Sequence, residues 1–188
     1  MLGRMSSSNL SCAGLAIALL GFGTAARAAG PAVPVPLRVP AGARLIARFH
    51  ATGAQVYGCA AAAAGQFAWT LKRPDATLFD PAGAPAGTHT AGPTWTAKDG
   101  SAVVGEKLAQ ADAPTPDAVP WLLLRAKSSS GSGQLNQTTF IERLQTKGGK
   151  APATGCDAGK AGAEVRAPYS ADYLFYAGGA AAPAKAKP

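Results

Sequence analysis

Histidine and cysteine are scarce in this 188-residue chain: His50 and His89 are its two histidines, and Cys12, Cys59 and Cys156 its three cysteines. A zinc site takes about four nitrogen, sulfur or oxygen ligands. Both histidines would have to meet carboxylates such as Asp99 or Glu142, so no metal is expected. Aromatic residues make up 7% of the chain, low for a dedicated carbohydrate binder. The formal net charge is +8, yet no block of like charges occurs. A nucleic-acid footprint clusters its cations on one face, so no nucleic-acid partner is expected. The scattered charge leaves a weak attraction to anionic lipid or acidic polysaccharide. Neither a P-loop nor a complete G-x-G-x-x-G is present, since Gly131-Ser132-Gly133 runs on into Gln134-Leu135-Asn136. No nucleotide cofactor, and no other cofactor, is expected. Amphipathic stretches longer than about three turns are missing as well, which argues against a helical bundle or a βαβ fold.

The one apolar run of note, residues 13–22, is about half the roughly 20 residues that a membrane-spanning helix needs. Arg4 lies before it, and Ala26-Arg27-Ala28 offers small residues where a signal peptidase cuts. Residues 1–28 therefore read as a secretory signal peptide, with the mature protein exported to the periplasm or beyond and without a transmembrane segment. Cys12 precedes the apolar run instead of following it, which disfavours lipid attachment, and it is expected to leave with the signal. Removal of Arg4 and Arg27 lowers the net charge to about +6. Cys59 and Cys156 then remain, and in an oxidising compartment they are expected to pair. Residues 29–40, with prolines at near-alternate positions, read as a stiff extended linker. The 41–176 region forms one domain, and residues 177–188 read as a disordered tail.

Within the domain the pattern is short and β-like. Gln66-Phe67-Ala68-Trp69-Thr70-Leu71-Lys72 alternates cleanly, with Phe67, Trp69 and Leu71 on one face, as in a half-buried strand. Leu45, Ala47 and Phe49 alternate less cleanly, because Ile46 falls on the polar side. Gln55-Val56-Tyr57-Gly58-Cys59 is rich in strand formers. Val119-Pro120-Trp121-Leu122-Leu123-Leu124 is continuously apolar, as a strand buried on both faces would be. Residues 138–144 and 172–176 complete the set, and the alanines 60–64, bracketed by Gly58 and Gly65, read as a loop between strands. Turn signals recur at Pro74-Asp75, Asp80-Pro81, Gly92-Pro93, Asp99-Gly100, Gly131-Ser132-Gly133 and Gly148-Gly149. The fold class expected is mainly β: a single antiparallel β-sandwich or barrel-like domain with short strands and long loops.

Several segments in order resemble domain-of-unknown-function family 3455, small exported proteins of bacteria and fungi. They are Gln55-Val56-Tyr57-Gly58-Cys59, Phe67-Ala68-Trp69, His89-Thr90-Ala91-Gly92-Pro93-Thr94-Trp95 and Asp99-Gly100-Ser101-Ala102-Val103-Val104-Gly105. Pro120-Trp121-Leu122-Leu123-Leu124, residues 141–156 and residues 168–176 follow. The likeness spans about residues 36–176. It implies an exported, mainly β domain with Cys59 and Cys156 at the family's cysteine positions. It implies no activity and no catalytic residues.

The densest polar constellation is His89 with Thr94, Trp95, Asp99 and Ser101, expected on a hairpin or loop at a sheet edge. His89 as general base, oriented by Asp99, with Ser101 as nucleophile would make a hydrolytic set. The nucleophile elbow G-x-S-x-G is absent, however, with Val103 where the closing glycine should be. Otherwise His89 bonds the loop and Asp99 starts a turn. Trp69 and Trp121 fall in apolar strands and read as core, whereas Trp95 and Tyr169 lie beside proline-bearing loops and read as surface aromatics able to rim a binding groove. The leading expectation is a non-enzymatic module that binds a small molecule, a polysaccharide or another envelope component through Thr94, Trp95 and Tyr169. The rival is a hydrolase-like enzyme built on His89 and Asp99.

Overall fold

The computed structural model describes residues 32–179. The signal peptide expected over residues 1–28, Cys12, the first residues of the linker and the tail beyond residue 179 lie outside this range. Eight strands run in sequence order: β1 (Arg44–Ala61), β2 (Phe67–Phe79), β3 (Pro85–Thr90), β4 (Thr94–Ala97), β5 (Ala102–Ala111), β6 (Trp121–Ser130), β7 (Phe140–Gly148) and β8 (Glu164–Ala177). Each pairs antiparallel with the next, and β8 pairs back onto β1, closing the sheet into a barrel. Closure leaves no free edge. The stretch around His89, expected at an edge, is instead the β3–β4 hairpin in mid-sheet, with His89 opposite Trp95.

Strand alternation sends one set of side chains inward. Phe49, Ala51, Leu78, Trp95, Val103, Leu124, Ile141, Ala171, Tyr173 and Phe175 pack together there. An eight-stranded barrel is just wide enough for its side chains to fill it, so large residues face small ones. Gly53 lies opposite Tyr169 and Ala47 opposite Phe175. Gly105 gives way to Trp95: a Cβ there would lie 2.8 Å from the indole ring. Gly105→Ala is therefore expected to cost about 1–3 kcal/mol by overpacking, read as a lower urea midpoint at unchanged slope. An unchanged midpoint would show that the ring has room to move.

The irregularity noted at Ile46 has a structural cause. The register of β1 against β8 slips between Leu45 and Ala47, so Ile46 is the extra residue of a β-bulge and packs partly against the core while Leu45 turns outward. A bulge inserts one residue and shifts the facing of its neighbours, which is why strict alternation failed there.

The apolar run 119–124 is buried on both faces, as its composition demands. Leu122 and Leu124 point into the barrel, while Trp121 and Leu123 point out and join Leu37, Phe140 and Leu144 in a second cluster. Val33, Leu37 and Val39 cover that outer face, and Val35–Leu37 forms a 3-10 turn with Leu37 fully buried. Residues 33–39, expected as part of an extended linker, are thus packed onto the barrel. The first half of β2 is less buried than its alternation suggests: Leu71 is 52% exposed and Trp69 half-buried.

Because connections in such a barrel alternate between its two ends, the β2–β3, β4–β5 and β6–β7 loops share one end. The β1–β2, β3–β4, β5–β6 and β7–β8 loops share the other. Cys59, near the end of β1, is bonded to Cys156 in the β7–β8 loop with their Cα atoms 5.4 Å apart. The expected disulfide therefore fastens the longest loop of the second end to the barrel wall. Tyr57 Oη donates to the Gly149 carbonyl at 2.7 Å and Trp69 Nε1 to that of Thr154 at 3.0 Å, which hold the same loop.

Candidate functional site

At mid-barrel His89 and Trp95 stack with ring centres 4.4 Å apart and planes 7° from parallel, and Tyr173 meets both edge-on. His89 Nδ1–H donates to the Thr94 carbonyl at 2.9 Å, which leaves the lone pair on Nε2. Only 2% of His89 is exposed. Burial pushes its pKa down to about 3; the bond to Thr94 opposes this, and the positive charge of Arg143 adds to it. A base this weak is poorly matched to proton abstraction near neutral pH.

Asp99 and Ser101 belong to the other end of the strands and are joined to each other. Ser101 Oγ donates to Asp99 Oδ1 at 2.6 Å, and the Ser101 amide donates to the same oxygen at 2.9 Å. The second carboxylate oxygen accepts from the Gln134 amide, and Ser101 Oγ accepts from the Leu135 amide. The hydroxyl of Ser101, then the amides of Gln134 and Ser101, hold the Asp99 carboxyl below its usual range. The two residues tie the β4–β5 turn to the β6–β7 loop, whose Leu135 is fully buried in the core. His89 hydrogen-bonds to neither. The three residues read together from their order are a core ring and a loop tie.

The aromatic expectations also need correcting. Trp95 and Tyr169, expected at the surface, are 1% and 4% exposed because their positions alternate inward on β4 and β8. Tyr169 Oη lies 2.8 Å from Tyr173 Oη inside the barrel, and burial raises the pKa of both phenols. Thr94 is half-buried, and its Oγ1 donates to the Ala91 carbonyl at 2.7 Å.

A cavity of about 420 Å³ opens at the disulfide-bearing end, within the roughly 300–1,000 Å³ of small-molecule sites. His89 and Gln55 line it with the apolar Leu71, Leu122 and Leu124, the prolines 74, 93 and 120, and the cations Lys72, Arg73, Lys107 and Arg143. No carboxylate belongs to this lining. Arg143 points inward, opposite Leu122 on β6 and Tyr173 on β8. Its Nε and Nη2 donate to the Pro120 carbonyl at 3.1 and 2.7 Å. Its charge is felt by His89, Tyr57, Tyr169 and Tyr173. Gln55 is 2% exposed, and its Nε2 has no hydrogen-bond partner among the described residues. A buried amide left unpaired costs about 1–3 kcal/mol.

Two other depressions hold ion pairs. Arg125 pairs with Glu106 in one of about 430 Å³, and Arg48 and His50 share Asp172 in another of about 530 Å³. Among the described residues, no group of three or more His, Cys, Asp or Glu could hold a metal ion, and no helix is long and apolar enough to cross a membrane.

Residues 40–177 match the family described as "Protein of unknown function (DUF3455)". The chain belongs to that family. No curated protein and no solved structure matches it. The family description assigns no activity, so the cavity has to be read from its own chemistry. Of its polar residues, the sequence singled out His89 alone. Arg143 could have been found from its two-residue offset from Ile141, which places both on one face of β7. Gln55 stood inside a strand-forming run with nothing to mark it.

Proposed function

We propose that this member of the family is an exported, non-enzymatic binding module that takes a small organic molecule into the open end of its barrel. The unpartnered Gln55 amide in the cavity wall carries the reading, because a buried donor without an acceptor is relieved when a ligand supplies one. Closed walls favour a compact ligand over a polysaccharide strand, which would need an open groove. The hydrolase alternative finds little support, since His89 is bonded to backbone alone and Asp99 is engaged with Ser101. Export is supported by the disulfide between Cys59 and Cys156 together with the leader expected from the sequence.

The test is a thermal-shift screen of the purified mature domain against metals, sugars, lipids, nucleotides and small organic acids and alcohols. A ligand at 100 times its Kd is expected to add about 2.7 kcal/mol. Leu122→Trp, which fills the cavity, is expected to abolish that shift. If no compound raises the melting temperature, or if the filled variant responds as fully as wild type, the reading fails.

A further inference from the structure

Resting on that reading, we infer that the ligand is a small organic acid: a carboxylate that pairs with Arg143, on an apolar body that lies against Leu122 and Leu124. The charge around the cavity is lopsided. Of its four cations, Arg73 is paired with Glu164 at 3.1 Å, whereas Lys72, Lys107 and Arg143 have no carboxylate within ion-pair reach among the described residues. Lys107 Nζ donates instead to Gln110 Oε1 at 2.9 Å. Four acidic side chains stand in ion pairs, Asp75 with Arg166, Glu106 with Arg125, Glu164 with Arg73 and Asp172 with Arg48, and none of them with Arg143.

Arg143 decides the ligand's charge. A guanidinium facing the interior of a barrel has lost much of its hydration, and a protein interior compensates such a charge with an opposite one. Here the compensation is partial. The Pro120 carbonyl accepts from Nε and Nη2, and the Tyr173 hydroxyl leans on the same group. Both partners are neutral dipoles. Pro120 takes the Nε–Nη2 edge of the guanidinium. The other edge, Nη1–H with the second hydrogen of Nη2, matches a carboxylate in two-point geometry, a pairing that a lysine would not reproduce. The Gln55 amide adds a second donor in the same wall. Lys72 and Lys107, exposed at the mouth, raise the local concentration of anions without holding them in one geometry.

The body of the ligand follows from the remaining lining. Leu71, Leu122, Leu124 and the three prolines offer apolar contact and few polar groups. A highly charged solute such as inorganic phosphate or a sugar phosphate would leave most of that surface unused. A compact acid with a hydrocarbon or aromatic body fills it.

Isothermal titration of the mature domain with decanoate and with decanol tests the assignment, because the two share a chain and differ in head-group charge. Wild type is expected to bind decanoate at least about tenfold more tightly, a difference of about 1.4 kcal/mol. Arg143→Gln is expected to bring the two within about twofold, and Arg143→Lys to keep part of the preference. The wild-type comparison stands even if the variants fold poorly. Equal binding of acid and alcohol by wild type overturns the organic-acid assignment and leaves the binding cavity intact. A preference that survives in Arg143→Gln also overturns it. Sedimentation of the protein with phosphatidylglycerol vesicles, without uptake of free decanoate, overturns it in favour of a lipid surface. Silence toward both ligands, while another compound of the thermal screen binds, removes the acid and spares the cavity; silence throughout removes both.

Discussion

Acidification from pH 7 to pH 3 is expected to cost this barrel on the order of 4–5 kcal/mol through His89 alone. In the unfolded chain the imidazole takes up a proton near its ordinary value of 6.5, whereas in the folded barrel burial holds that step down to about 3. Between those limits the unfolded state binds the extra proton, so stability rises with pH across the window. The contribution is complete above pH 6.5 and is lost progressively as pH falls toward 3, at about 1.4 kcal/mol per pH unit. Against a typical total of about 5–15 kcal/mol, a loss of this size brings the domain close to unfolding.

Two carboxyls titrate alongside His89. Asp99, held low by Ser101, contributes stability above its ordinary value of 3.8 and loses it below. Glu142, raised by burial against the bond from Tyr176 Oη, acts in the opposite sense and relieves the folded state as it is protonated. His89→Phe isolates the histidine, since a phenyl ring retains the stack on Trp95 and cannot take a proton. Urea unfolding at closely spaced pH values should show a steep decline between pH 6.5 and 3 for wild type and a much flatter profile for the variant. Parallel profiles would mean that water reaches the imidazole and that the interior is less dry than its packing indicates.

Removal of the disulfide is expected to be as costly. The Cys59→Ala, Cys156→Ala double variant opens a cross-link between residues 97 apart in sequence. Chain entropy assigns such a closure about 4–5 kcal/mol, as an upper figure. For a domain of this size that is a fall in Tm of roughly 8–20 °C. Alanine is the appropriate replacement, because Cys59 is 3% exposed and serine would bury a hydroxyl there. The loosening should concentrate in the β7–β8 loop. Trp69, whose Nε1 bonds the Thr154 carbonyl of that loop, offers a fluorescence reporter, and its emission should shift before global unfolding. A double variant as stable as wild type, or free thiols in the native protein, would contradict this.

Much of the β architecture was legible because it depends on local alternation. The run from Gln66 to Lys72, the doubly apolar 119–124 and the strand formers of 172–176 all lie in strands of the barrel or lead directly into one. β5 went unread, since Gly105 breaks its apolar face where Trp95 needs space. The pairing of Cys59 with Cys156 was legible by elimination. The site was legible only in His89, because nothing local marks Arg143 or Gln55 as facing one cavity. Trp95 and Tyr169 were misplaced for a related reason: neighbouring prolines suggest a surface, but the facing of a strand residue is set by register.

By itself the order of residues determined an antiparallel β domain, its turns and its cross-link, since strand preference, turn chemistry and cysteine count act over short range or by arithmetic. Tertiary structure alone decided that the sheet closes, that the first and last strands pair, and which side chains turn inward together. Those outcomes depend on contacts between residues more than a hundred positions apart, such as His50 with Asp172. No local pattern encodes them. The cavity, with a guanidinium that no carboxylate pairs among the described residues, exists only once the ring is shut.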